Sequence, residues 1–368
     1  MPFVKTRLLA FLLSFSTGLS AQVAGVPQEV KVLKMPKFSI GNFPKKSIPV
    51  SRIAFLQNVW DSVTLGYVQK GVDGQVALLQ PSKPLTAFLQ DQFNKIYKDG
   101  FKPGGAVLLF VVKDLRVSER SFFSKQMAYT RVNADAYISF DGTGFLLAAA
   151  IDSVLSEPSG VDVTNWHGQR IENVFRLLLA NTFKNAKFLD QQASQYSIKQ
   201  IGQTMKHDLD FPILNSLSYQ EGLYKNFQEF LNDKPGTTNY LPVLIDRKKL
   251  KFITANENNQ MDTLQAWGIC KEGEIYKYHE GSLVPIEKYR NGFIISDYVQ
   301  KVNRRNSQRN SDMLFAGAVG GLVGALIVSG VQSNRSSTPI QLVTSIPYIK
   351  KNYPEASCID MKTGELTF

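Results

Sequence analysis

Two cysteines and three histidines in 368 residues leave little material for thiol, metal or triad chemistry. Cys270 and Cys358 stand far apart, without zinc-type spacing, and two thiols do not make a disulfide framework. In an oxidising compartment a disulfide and two separate buried thiols both remain open. Also absent are a G-x-S-x-G, an H-E-x-x-H and a P-loop. The densest polar spot, His207-Asp208 with Asp210, reads as a surface loop. Trp166-His167 opens a predicted helix, where the histidine caps or packs, and His279 reads as a half-buried strand residue. Nothing in the spacing brings Asp61, Asp114 and Glu119 together as working carboxylates. No catalytic residue, metal ligand or cofactor site is assigned, and the expectation is a protein that is not an enzyme.

Long apolar runs are scarce too, with one exception near each end. At the start, Lys5 and Arg7 precede the apolar stretch Leu8–Phe15, which is too short for a bilayer core of about 20 residues. Small residues Ser20 and Ala21 follow. This is the order of a secretory signal peptide over residues 1–21, cleaved before Gln22, so the protein is expected to be exported. No cysteine near the cleavage point supports a lipid anchor. The net charge of +11 falls to +9 once Lys5 and Arg7 are gone. That excess suits anionic lipid, glycan or an acidic partner. Nucleic acid is not expected, because an exported chain rarely meets it and the cations are scattered.

Residues 22–47, with Pro27, Pro36 and Pro44, read as an extended lead-in. Between 48 and 185 the patterning predicts an α+β domain, an antiparallel sheet with helices on one face. Strands are expected at Val50–Leu56, Val76–Leu79, Ala106–Val112, 128–141 and 145–155, with Asp141-Gly-Thr-Gly144 as a hairpin turn. That turn looks like the D-[ST]-G of aspartic proteases, but its order is wrong and no second copy exists. Ser82 and Pro84 open a helix whose apolar face is Leu85, Phe88, Leu89, Phe93 and Ile96. A second helix, 164–184, buries Ile171, Val174, Phe175, Leu178 and Leu179. The strand 106–112 is apolar on both faces and belongs in the sheet centre.

Residues 186–239 read as a connector with one short helix, and 240–299 as a small β-meander domain. Its aromatics Trp267, Tyr276 and Tyr278 are candidate ligand-facing residues, although core packing explains such residues as well. A basic collar, 300–312, leads to the second apolar run, 313–331. This run has no charge, covers roughly 28 Å as a helix and so matches a hydrocarbon core. Gly317 and Gly321 form one G-x-x-x-G pair; Gly320 and Gly324 form another. Such rows let helices approach closely in lipid. The segment is expected to be a transmembrane helix that anchors the chain or joins it to itself or to envelope partners. A buried glycine-rich hairpin or core helix is the alternative. A single span across an inner membrane would put the tail, 332–368, in the cytoplasm.

The run Gln75–Leu85 with its helix, the strand 106–112, the string Val132–Ser139 and the helix near 165–183 resemble the YajG-like periplasmic lipoproteins. They also resemble auxiliary subunits of envelope ABC transport systems. The likeness covers residues 50–185 and carries no site residues. The overall layout resembles envelope proteins of Bacteroidota-type bacteria. These resemblances imply a non-enzymatic accessory or scaffold protein of a Gram-negative envelope, held at membrane lipid. A periplasmic binding module for an anionic lipid or glycan is the second expectation, and a hydrolase the third.

Overall fold

The structure is a computed structural model. It describes residues 29–36, 48–71, 74–122, 125–160, 162–189, 194–207, 210–245, 249–256, 260–314, 338–343, 346 and 349–368. The expected signal peptide, the remaining lead-in and Gly317, Gly320, Gly321 and Gly324 lie outside the described residues.

The fold is α+β. The first sheet has seven strands: β1 (Val30–Val32), β2 (Val50–Gln57), β3 (Gly66–Lys70), β4 (Gln75–Gln80), β5 (Ala106–Ser121), β6 (Gln126–Ser139) and β7 (Leu146–Ser159). It is mixed rather than antiparallel. β2 and β3 both run parallel to β5 along one edge, and β1 runs parallel to β4. The long antiparallel run β5–β6–β7 is the part the alternation made visible. The lead-in is thus not merely loose, since Val30–Val32 extends the sheet and Leu33 is buried. Gly66 lets β3 cross β5, because a Cβ there would sit 2.0 Å from the Val117 carbonyl oxygen.

β5 is central, as its two apolar faces demand. Leu108, Phe110 and Val112 face α1 (Leu85–Tyr97) and α2 (Trp166–Ala186). There Phe55, Phe93, Phe110 and Phe175 interlock, with ring centroids 5.1–6.1 Å apart. Each such pair adds about 1 kcal/mol to the burial itself. The helices are not confined to that face. Val107, Leu109 and Val111 point the other way and pack with Phe145 and with Ile201 of α3 (Ile198–His207).

The second sheet is also seven-stranded and wholly antiparallel, in the order β17-β16-β15-β14-β13-β12-β8. Its centre is the expected meander: β12 (Gly268–Lys271), β13 (Glu274–His279), β14 (Ser282–Tyr289) and β15 (Gly292–Ile295). Its edges come from segments read as connector and tail. β8 (Gly222–Tyr224) stands beside the short helices α4 (Pro212–Asn215) and α5 (Phe227–Leu231). β16 (Cys358–Ile359) and β17 (Leu366–Thr367) are supplied by the last residues. A separate three-stranded meander, β9 (Leu241–Ile245), β10 (Lys249–Ala255) and β11 (Met261–Leu264), packs Leu250 and Phe252 against the second sheet. The basic collar is the body of α6 (Tyr298–Leu314), which seats Tyr298, Val299 and Val302 between the sheets.

The last residues are therefore not a free tail. Ile359, Met361, Leu366 and Phe368 share a core with Tyr67 and Tyr129 of the first sheet. Glu355, 1% exposed, is paired with Arg120 of β5 at 3.0 Å and with Arg305 of α6. Burial raises its pKa more than the two arginines lower it. Residues 298–306 and 349–368 thus belong to one folded body. Among the described residues no helix is long and apolar enough to cross a membrane.

Removing the Glu355 charge strands two arginines. Glu355→Gln is expected to cost about 3 kcal/mol by urea denaturation, while Asp162→Asn, breaking the exposed pair with Lys31, costs under about 1 kcal/mol. Equal losses would contradict this account.

Candidate functional site

Where the two sheets meet, two adjoining hollows share Trp60, Asp114 and Arg116. The first is walled by Leu65, Tyr67, Leu115, Tyr289, Ile294 and Phe368. The second is more polar, with Asn58, Lys113, Arg131, Asn133 and Lys362. Trp60 is half-buried at the junction, where a Cβ on Gly292 would come within 2.7 Å of its ring. The position follows from the chain path: β2 ends at Gln57, and Asn58–Asp61 turns across the end of the second sheet. Asp61 holds that turn by accepting from the Val63 and Thr64 amides, at 2.9 and 2.8 Å, and pairs with Arg290.

The charges of the polar hollow are already matched. Arg116 donates to Asp114 at 2.6 Å and reaches Asp360 at 3.5 Å and the Phe368 carbonyl oxygen at 3.3 Å. Burial works against its charge, but Asp114, Cys358 and Asp360 more than offset it and hold its pKa above the ordinary value. Arg131 pairs with Asp114 and Asp152, and Lys113 with Asp135. Trp60, Asn58, Asn133 and Lys362 line the hollow beside these ion pairs. Asp61 and Asp114 do line one cavity, which nothing in their spacing foretold, but each is ion-paired.

The histidines lie elsewhere. His167 is fully buried; its Nδ1 lies 2.8 Å from Thr130 Oγ1 and its Nε2 3.1 Å from Glu119 Oε1. Glu119 in turn accepts from the Gln69 amide at 2.7 Å. The order hydroxyl–imidazole–carboxylate looks like a triad. However, Thr130, His167 and Glu119 are at most 2% exposed, so it serves as a buried strut between β3, β5, β6 and α2. His279 is half-buried in β13, and its pKa is lowered chiefly by burial. His207 ends α3, and Asp208 lies outside the described residues. Asp141 closes the β6–β7 turn by accepting from the Thr143 and Gly144 amides. Among the described residues no group of three His, Cys, Asp or Glu side chains is placed to hold a metal ion. Cys270 and Cys358 are both free and buried, and burial pushes the Cys270 thiol up to about 12.

Of the aromatics singled out from the sequence, Trp267 is in the core. It stacks on Phe230 at 4.2 Å, and its Nε1 donates to the Gly364 carbonyl at 3.0 Å. Gly364 has φ +75°, and a Cβ there would lie 2.4 Å from the Phe227 ring, so the turn after β16 needs glycine. Tyr278 donates to the Leu250 carbonyl at 2.7 Å and meets Phe252 edge-on. Tyr276 packs beside it. These rings seat the small meander. The seam residues Trp60, Asn58 and Lys362 were not singled out; Asn58-Val-Trp-Asp61 between two strands carried the only signal.

No protein-family model, curated protein or solved structure matches the chain.

One carboxylate gives the fold a pH signature. Glu287 of β14 stands beside Glu274, and burial first and Glu274 second raise its pKa to about 7. A raised carboxyl pKa means the folded state binds the proton more tightly than the unfolded chain. The associated stability is full below the unfolded value, near 4.5, and is lost as pH rises through about 7. Glu287→Gln should therefore flatten the fall in urea midpoint between pH 5 and pH 8; a parallel fall in wild type and variant refutes the assignment.

Proposed function

We propose that the protein is a non-enzymatic, membrane-associated accessory or scaffold protein of a Gram-negative envelope. The observation that carries this reading is the fixing of both flanks of the apolar 313–331 segment on one body. Tyr298, Val302 and Asn306 seat α6 on one flank. Glu355, between Arg120 and Arg305, seats the other. Both flanks held on one body support a reading in which the segment between them meets a partner or lipid. Enclosure of His167, Glu119 and Thr130 supports a role without acid–base chemistry.

Cell fractionation with protease accessibility tests this. The full chain should pellet with membranes, and replacing 315–331 by a Gly-Ser linker should release it to the soluble periplasmic fraction. Tags at Phe368 and in the β6–β7 turn should be digested together from the periplasmic side. A protected Phe368 tag, or a full chain that is soluble throughout, defeats the reading.

A second reading, a binding module for an anionic lipid or glycan, is favoured by Trp60 with Asn58, Asn133 and Lys362 around it. Fluorescence titration with neutral and uronic-acid oligosaccharides should then show Trp60→Ala binding about tenfold more weakly, the worth of a stacked ring, with its circular dichroism unchanged. Equal binding removes this second role.

A further inference from the structure

We propose that the outer face of the β9–β11 meander docks on an anionic lipid surface. This rests on the membrane-associated reading and adds where, and by what chemistry, the folded body meets the bilayer.

The register decides which residues share that face. Ile245 stands opposite Lys249, Val243 opposite Lys251, and Leu241 opposite Ile253. Across the other ladder, Ile253 faces Thr263 and Ala255 faces Met261. Residues directly opposite in a ladder point to the same side. On the alternate side Leu250 and Phe252 of β10 are 3% and 1% exposed and pack inward on Leu223, Ile269 and Leu283, while Leu244, opposite Leu250 on the edge strand, is 41% exposed. The outer set is open: Leu241 is 54% exposed, Val243 37%, Ile245 38% and Met261 60%. An apolar row left in water on an edge strand is unusual and marks a contact surface.

Charge names the partner. Lys249 and Lys251 are exposed on this face, and neither pairs with a carboxylate among the described residues. Among the described residues of β9, β10 and β11 no acidic side chain shares the face, since Asp262 stands opposite Thr254 on the other side. A second copy apposed here would bring four lysines together. Pro242 in the free edge strand β9 also weakens strand addition. Anionic headgroups neutralise the lysines while Leu241, Val243, Ile245 and Met261 enter the acyl boundary, as interfacial elements do.

Flotation of the full chain with vesicles tests the assignment, comparing pure phosphatidylcholine with phosphatidylcholine containing phosphatidylglycerol. Wild type should favour the anionic vesicles, and the preference should fade at high salt. Lys249→Ser with Lys251→Ser should lower anionic binding about twenty-five-fold, at about fivefold per lysine. Val243→Asn with Ile245→Asn should abolish the face's contribution. Both pairs are exposed, and unchanged melting temperatures would confirm that the variants fold. Equal flotation of wild type and both variants on both vesicle types overturns the docking face while leaving attachment through 313–331 intact. No flotation at all overturns both. A dimer by light scattering that Val243→Asn with Ile245→Asn dissolves, without lipid binding, gives the face to a second copy instead.

Discussion

A single carboxylate, Glu355, is shared by guanidinium groups from two distant parts of the chain, and much of the assembly hangs on it. Arg120 belongs to the longest strand of the first sheet, and Arg305 to α6. β16 and β17 have only two residues each, and β16 meets β15 at one register pair. Backbone ladders that short do not hold a segment in place. What holds it is side-chain burial, by Ile359, Met361, Leu366 and Phe368, together with two ionic clamps. The second clamp is Arg116 between Asp114 and Asp360. Buried pairs of this kind give little net stability over an apolar core, but losing one partner is costly. They act here as register pins that fix which part of the tail lies against which strand.

That pinning also brings α6 and the last residues into one core. The same core accounts for most of the polar groups that resemble chemistry. His167 joins Thr130 and Glu119 where α2 lies on β5 and β6. Arg116 and Arg131 neutralise the carboxylates left at the seam of the two sheets. A buried charge or imidazole must find a partner, so a fold with this many interior ionisable groups contains triad-like geometry without catalytic access.

Where structure is local, the sequence was a good guide. Period-two alternation placed β6, and helical spacing placed the buried faces of α1 and α2. The apolar faces of β5 marked it as central. Pairings that join distant segments left no periodic trace. β8, β16 and β17 are too short to show alternation, and β1 lies in a proline-containing lead-in. The parallel pairing of β2 and β3 with β5 is equally invisible, since strand direction in a sheet depends on the connections. The seam was illegible for the same reason: Trp60, Arg116 and Lys362 become neighbours only when the last residues fold back. Trp267 was legible as an aromatic strand residue but not as a core one, because its covering, Phe227, Phe230 and Gly364, comes from both flanking segments.

The small meander separates what folding requires from what it does not. Phe252 and Leu250 anchor it, and burying two such side chains contributes about 3–6 kcal/mol. Tyr278 adds a hydrogen bond to the Leu250 carbonyl and an edge contact with Phe252. The outer positions face away from that core, and a solvated strand would fill them with threonine, serine or charge. Leu241, Val243, Ile245 and Met261 occupy them instead, beside Lys249 and Lys251. Partly exposed apolar side chains grouped on one face with lysines are the pattern expected of a contact surface rather than of a solvated strand.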